Sequence, residues 1–213
     1  EIAVNNLSFH YEGKTAMSLS DVNFTIKKGE IIGVTGKTGS GKSTLAQMLA
    51  AMYYGNAEAK SISFDGVPLA EIDLTDYRRN LAYVPQDVFL FSESIRENIA
   101  FGLEDGKASD EELQRAVAAS GLLNDISQWP QGLDTILGER GVSLSGGQKQ
   151  RVSLARALIK KAQFYILDDC LSAVDSDTER NIIDQLQAWL NQSTAVVISH
   201  RIAPLKMANR ILV

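Results

Sequence analysis

The chain has 213 residues, 45% of them hydrophobic, which is enough to core one large domain or two small ones. Its net charge of −5 argues against a nucleic-acid-binding face, which needs a basic surplus, so no nucleic acid is expected among its partners. A single cysteine, Cys170, excludes an internal disulfide, and no apolar run reaches the roughly 18 residues that a membrane-spanning helix needs.

In chain order, Ile2 to Phe9 and Val22 to Ile26 alternate apolar and polar residues, which predicts two half-buried antiparallel strands joined by the polar stretch Glu12 to Ser20. Tyr11 lies between them, either packed against the strands or free to stack on an aromatic base. The apolar segment Ile31 to Val34 then leads into Gly36 to Thr44, GKTGSGKST, ahead of the helical pattern Leu45 to Leu49. This run matches the phosphate-binding loop G-x-x-x-x-G-K-[ST]. Gly36, Gly39 and Gly41 allow a tight turn with positive φ, so that backbone N–H groups, with Thr38 and Ser40 between them, surround a polyphosphate at a helix N-terminus. Lys42 is placed to reach the β- and γ-phosphates, and Ser43 to offer its hydroxyl to Mg²⁺.

Ser61 to Val67 reads as a strand running into an Asp65-Gly66 turn, hence a further antiparallel hairpin. Leu81 to Val84 is a short buried strand ended by Pro85, and Gln86 after it either reaches Mg²⁺ or the attacking water or is a solvated loop residue. From about Asp87 the chain turns to short helices. Ser109 with Glu112 forms a capping box for a helix through Leu113, Ala116 and Val117, and Gly121 stops it. Trp129 to Gly132 is turn chemistry, and Thr135 to Gly141 a charged, glycine-bounded loop.

Leu144-Ser145-Gly146-Gly147-Gln148 precedes a helix with Val152, Ala155, Leu158 and Ile159 on one face. A small hydroxyl and two glycines at a helix N-terminus make a second anion site. One nucleotide does not need two such sites, so this one serves the γ-phosphate of an ATP held by another copy or a partner. Phe164 to Leu167 reads as a central parallel strand ending in Asp168-Asp169, with Asp168 placed to hold Mg²⁺ through water. Ser172 to Asp175 leads to a helix with Ile182, Ile183, Leu186, Trp189 and Leu190 on its apolar face, and the buried strand Thr194 to Ser199 ends at His200, within reach of a γ-phosphate.

Taken together, these stretches resemble the nucleotide-binding domain of the ATP-binding cassette superfamily, over almost the whole chain. The resemblance implies an α/β P-loop NTPase with a mainly parallel core sheet, an antiparallel β subdomain and a helical subdomain, divided at 1–86, 87–145 and 146–213. It assigns Tyr11 to adenine stacking and Gly36, Thr38, Gly39, Ser40, Gly41, Lys42, Ser43 and Thr44 to ATP. Ser43, Gln86 and Asp168 fall to Mg²⁺, and Asp169, His200 and Gln86 to catalysis. The family's signature, Ser145, Gly146, Gly147 and Gln148, acts on the ATP of a second nucleotide-binding domain paired head to tail. Thr135 to Gly141, TILGERG, is similar to the X-loop of exporters, which touches the coupling helices of a transmembrane domain.

These features imply a domain cut from a longer chain with transmembrane helices, working as an ATPase on the cytoplasmic face of a membrane. Asp169 departs from the family, whose catalytic glutamate stands there. This resembles the degenerate-site subunit of heterodimeric exporters, with a non-identical partner. A homodimeric exporter with a working site, and a soluble cassette of DNA repair or translation, are the alternatives.

Overall fold

The computed structural model describes residues 1–53, 60–138, 143–191 and 193–213. Chain contacts divide it into two compact units, Glu1–Leu81 with Gln163–Asp168 and Gln192–Val213, and Ala82–Ala162 with Asp169–Asn191. The strands are β1 (Ile2–Phe9), β2 (Leu19–Ile26), β3 (Ile31–Val34), β4 (Ile62–Phe64), β5 (Val67–Pro68), β6 (Leu81–Val84), β7 (Phe164–Asp168), β8 (Thr194–Ile198) and β9 (Arg210–Leu212).

In the first unit, an antiparallel sheet runs β2-β1-β4-β5. β2 starts at Leu19, earlier than the alternation suggests, because Leu19 is buried opposite Phe9. The register slips between Val4 and Leu7, where Asn6 (φ 51°) adopts a left-handed conformation and its N–H is taken by Asn23 Oδ1 at 2.7 Å. The predicted hairpin is present: β4 and β5 are joined by Asp65 and Gly66 at φ 47° and 83°, the two positive angles that a tight hairpin turn needs.

A parallel sheet completes this unit, its strands following one another as β7-β8-β3-β9. Every residue of β3, β7 and β8 is buried, as expected of parallel strands covered on both faces. Helix α1 (Lys42–Leu49) lies against β7 and β8, burying Leu45, Met48 and Leu49. Each such side chain contributes about 1.5–3 kcal/mol. Two short helices, α2 (Leu74–Arg79) and α8 (Ile202–Leu205), complete the unit.

The second unit packs α3 (Ile95–Ala100), α4 (Asp110–Ala119), α5 (Leu123–Gln128), α6 (Gly146–Ile159) and α7 (Ser176–Leu190). Ile95, Ile99, Leu113, Val117, Leu122 and Val152 form the centre of its core. Three of these helices open with a reciprocal capping box: Ser94 with Glu97, Ser109 with Glu112, and Ser145 with Gln148. Gly121 ends α4 at φ 72°, where a Cβ would come within 2.9 Å of the Ile182 side chain. Trp129 follows α5 and buries its ring in the core. α7 buries Ile182, Ile183, Leu186 and Leu190 as expected, but Trp189 stands half-buried at the edge of that stripe. Among the described residues, no helix is long and apolar enough to cross a membrane.

Candidate functional site

In the first unit, β3 delivers the chain into the loop at Gly36 to Thr44. Gly36, Gly39 and Gly41 have φ of 150°, 82° and 89°, the positive angles their sequence positions predict. Gly41 is the N-cap of α1, and no side chain caps the helix there. A Cβ on Gly41 would lie 2.2 Å from the Ser18 carbonyl oxygen, so only glycine fits. Lys42 is buried, and its Nζ donates to the Gly36 and Lys37 carbonyl oxygens at 3.0 and 2.8 Å. Thr38, Gly39 and Ser40 are exposed at the loop's crest, and Ser43 is half-buried.

Register brings further predicted residues to the same sheet edge. Val34 pairs with Ile198, and Ile198 with Asp168, so the strand leading to the loop, the end of β8 and Asp168 stand in one row. Asp168 is buried, and His200, two residues beyond Ile198, is exposed. Ligand sites of open parallel sheets lie outside these carboxyl ends. Tyr11 is tied to α1: its hydroxyl pairs with Thr44 Oγ1 at 2.9 Å and donates to Gln47 Oε1 at 3.2 Å. The ring meets Phe9 and Tyr53 edge-on, with centroids 5.2 and 5.9 Å away. Burial, with the Tyr11 phenol beside it, pushes the Tyr53 hydroxyl above its ordinary range. Sequence reading did not include Tyr53, which no pattern singles out.

The second unit carries the other candidates. Gln86 is exposed two residues past β6. Asp169 is buried in a left-handed conformation, φ 49°, and its carbonyl accepts from Ser172 Oγ at 2.9 Å. At the start of α6, Gln148 N–H donates to Ser145 Oγ at 3.3 Å, and Ser145 N–H to Gln148 Oε1 at 2.9 Å. Gln148 Nε2 donates to Asp125 Oδ1 at 2.8 Å, while Arg151 holds Asp125 Oδ2 at 2.7 Å in a largely buried ion pair. Ser-x-x-Gln at 145–148 is legible as a capping box from sequence, whereas Asp125 on α5 leaves no sequence signal.

Asp175 caps α7, and the Thr178 N–H it accepts holds its carboxyl below the usual range. Thr135 and Leu137 are buried, with Leu137 N–H on the Glu93 carbonyl and Ile136 exposed. Glu139, Arg140 and Gly141 of that loop lie outside the described residues.

Among the described residues, no group of three His, Cys, Asp or Glu side chains is placed to hold a metal ion. A nucleotide-bound Mg²⁺ needs no such cage, because phosphate oxygens and water fill most of its octahedron beside one or two protein oxygens. Ser43 and Asp168 are donors of the kind it takes. A loop of positive-φ glycines at an uncapped helix end, with a buried ammonium beside it, likewise fits a polyphosphate.

The family model described as ABC transporter matches residues 19–172. The chain is 43% identical over its full length to a probable multidrug resistance ABC transporter ATP-binding/permease protein, YheI, of Bacillus subtilis. It is 40% identical to the ATP-dependent lipid A-core flippase of Vibrio cholerae and 41% identical to the multidrug resistance-like ATP-binding protein MdlA of Escherichia coli, again over its full length. It spans only 35–36% of the length of these relatives. A bacterial Atm1-family ABC exporter solved with ATP bound superposes with a TM-score of 0.90 at 35% identity, over 99% of this chain and 36% of that one. The chain belongs to the ABC transporter family as an ATP-hydrolysing nucleotide-binding domain.

Proposed function

We propose that this domain powers an exporter by closing head to tail on ATP with a second, non-identical nucleotide-binding domain. The carrying observation is the loop at Gly36 to Gly41, whose backbone curls with positive φ into an uncapped helix end. Its amides and Lys42 neutralise the β- and γ-phosphates, with Thr38, Ser40 and Thr44 lining the loop, and Tyr11 stacks on adenine. Lys42 exchanges its two carbonyl partners for phosphate oxygens. Ser43, Gln86 and Asp168 would hold Mg²⁺, which would supply positive charge to neutralise the phosphates. Asp169 orients the attacking water, Gln86 assists it, and His200 contacts the γ-phosphate. Ser145, Gly146, Gly147 and Gln148 serve the partner's ATP.

Asp169 makes this chain's own site the slower of the two. Its carboxylate is one methylene short of a glutamate, and a misplacement of about 1 Å can cost roughly a hundredfold in rate. The backbone cannot easily advance to compensate, because the Asp169 carbonyl is held by Ser172. For coupling, the second unit offers Phe89 and Phe101, 69% and 61% exposed, the first edge-on and the second tilted against Phe91, with Arg156 over the Phe91 and Phe101 rings. With the loop at Thr135 to Gly141, this face takes the coupling helices of a transmembrane domain, which puts the domain at the cytoplasmic side of a membrane.

The test is ATP turnover of the intact transporter with Asp169→Glu, beside nucleotide affinity. A slow own site predicts a rise of about tenfold or more in turnover at that site with affinity unchanged. Equal turnover in the two forms would favour a homodimer with a working site instead.

A further inference from the structure

Gln150 lies two residues beyond the signature on the buried face of α6, only 6% exposed. A buried amide is unfavourable unless its donors and acceptor are used. Here they are used on one loop. Gln150 Oε1 accepts the Ala173 backbone N–H at 2.9 Å, and its Nε2 donates to Ser172 Oγ at 2.9 Å while lying 3.4 Å from the Asp169 carbonyl oxygen. Ser172 Oγ in turn donates to that same carbonyl. One turn earlier, Gly147 approaches the loop so closely that a Cβ would fall 2.7 Å from the Ala173 carbonyl oxygen. The start of α6 and the loop from Asp169 to Asp175 are therefore fastened at two points, one steric and one polar.

We propose that Gln150 is a positioning residue, which holds Asp169 at this chain's own nucleotide and the signature at the partner's nucleotide in one fixed register. The proposal rests on reading Ser145 to Gln148 as acting on a partner's ATP. Asp169 keeps a left-handed backbone that persists only where the surroundings hold it, and its carbonyl is gripped by the Ser172 N–H at 3.2 Å, by Ser172 Oγ and by Gln150 Nε2. A leucine would fill the same volume without gripping the loop. The amide, and not its bulk, is the functional part.

The experiment uses the intact transporter with its partner and compares Gln150→Leu, Gln150→Glu, Ser172→Ala, the Gln150→Leu/Ser172→Ala pair and Ser145→Ala. ATP turnover, nucleotide affinity and hydrogen exchange at the Ala173 amide are read for each. Gln150→Leu should lower turnover about tenfold or more at unchanged affinity and speed exchange at Ala173. The double variant should be no slower than Gln150→Leu, because both changes open one clasp. Gln150→Glu keeps an acceptor for the Ala173 N–H and should restore its protection and part of the turnover.

Normal turnover in Gln150→Leu beside a slow Ser145→Ala would overturn the proposal and leave the reading of the signature standing. Normal turnover in both would overturn the two together. A fall in affinity as large as the fall in turnover would mark general loosening and also overturn it. Should Gln150→Leu not fold, Ser172→Ala decides, since Ser172 is exposed: wild-type turnover in that variant would overturn the clasp.

Discussion

Two helix N-termini in this chain face the same electrostatic task and are finished differently. α1 opens at Gly41, left-handed and without a side-chain cap, whereas α6 opens at Ser145 with a complete capping box. A helix start leaves four backbone N–H groups without partners inside the helix. At α1 no side chain caps them, so a phosphate can take them. At α6 the Gln148 N–H is already held by Ser145 Oγ, which leaves the glycine amides and the hydroxyl's own hydrogen to offer. The first end is built to bind an anion outright and the second to complete a site that others have assembled.

The boxes themselves differ in the same sense. Those at α3 and α4 use Glu97 and Glu112 at the third helical position, where a carboxylate suits the helix dipole. The box at α6 has the neutral Gln148 there. A carboxylate would cap as well but would repel an incoming phosphate.

The comparison breaks most completely at Gly41. Gly41→Ala combines a left-handed cost of about 1–2 kcal/mol with overpacking of about 1–3 kcal/mol against the Ser18 carbonyl. Denaturant unfolding should show a loss in the upper part of that summed range, with nucleotide binding abolished. Ser145→Ala, the matching change at α6, should cost only about 1 kcal/mol. Next in size, Lys42→Ala removes the ammonium from the phosphate loop, and turnover should fall about 10²- to 10³-fold, measured as steady-state ATP hydrolysis. Gln148→Glu is smaller. It keeps an acceptor for the Ser145 N–H, but it places a charge beside the α6 N-terminus and turns a donor to Asp125 into a like-charged neighbour. Turnover at the partner's site should drop about tenfold, with part of the loss recovered by salt.

The first of these ends was legible in the sequence and the second only in outline. Gly36, Gly39 and Gly41 declare their backbone because no other residue tolerates those angles cheaply, and the spacing to Lys42 fixes the helix that follows. Buried parallel strands were equally plain, since β7 and β8 are continuous apolar runs. What remained hidden were polar contacts between residues distant in sequence. Asp125 and Gln150 carry no periodic signal, yet they determine how α6 is held from two sides. Nor could a linear reading see that residues 163–168 belong to the first unit while the chain on either side belongs to the second, because membership depends on which elements pack together and not on local pattern. Asp169 stands out by its chemistry, but neither its left-handed backbone nor the contacts of Ser172 and Gln150 with its carbonyl leave a sequence signal.

The smallest expected effect separates the charged box from the neutral one by pH. At α4, Lys161 Nζ donates to Glu112 Oε1 at 2.9 Å and the Ser109 N–H and hydroxyl donate to Oε2. The Lys161 contact, and after it the bonds from Ser109, holds the carboxyl at about 2 against an ordinary 4.5. Because the folded value is the lower one, the stability that Glu112 adds is complete above the unfolded value. It declines as pH falls below 4.5 and is gone once pH has passed through about 2. Denaturant midpoints for wild type and Glu112→Gln should therefore differ by a constant amount near neutrality and converge across that window. Ser145→Ala removes a cap between neutral groups, so its gap from wild type should hold through the same window. Convergence in the α6 variant as well would mean that its cap depends on a titrating neighbour, and the contrast between a charged and a neutral helix entry would fail.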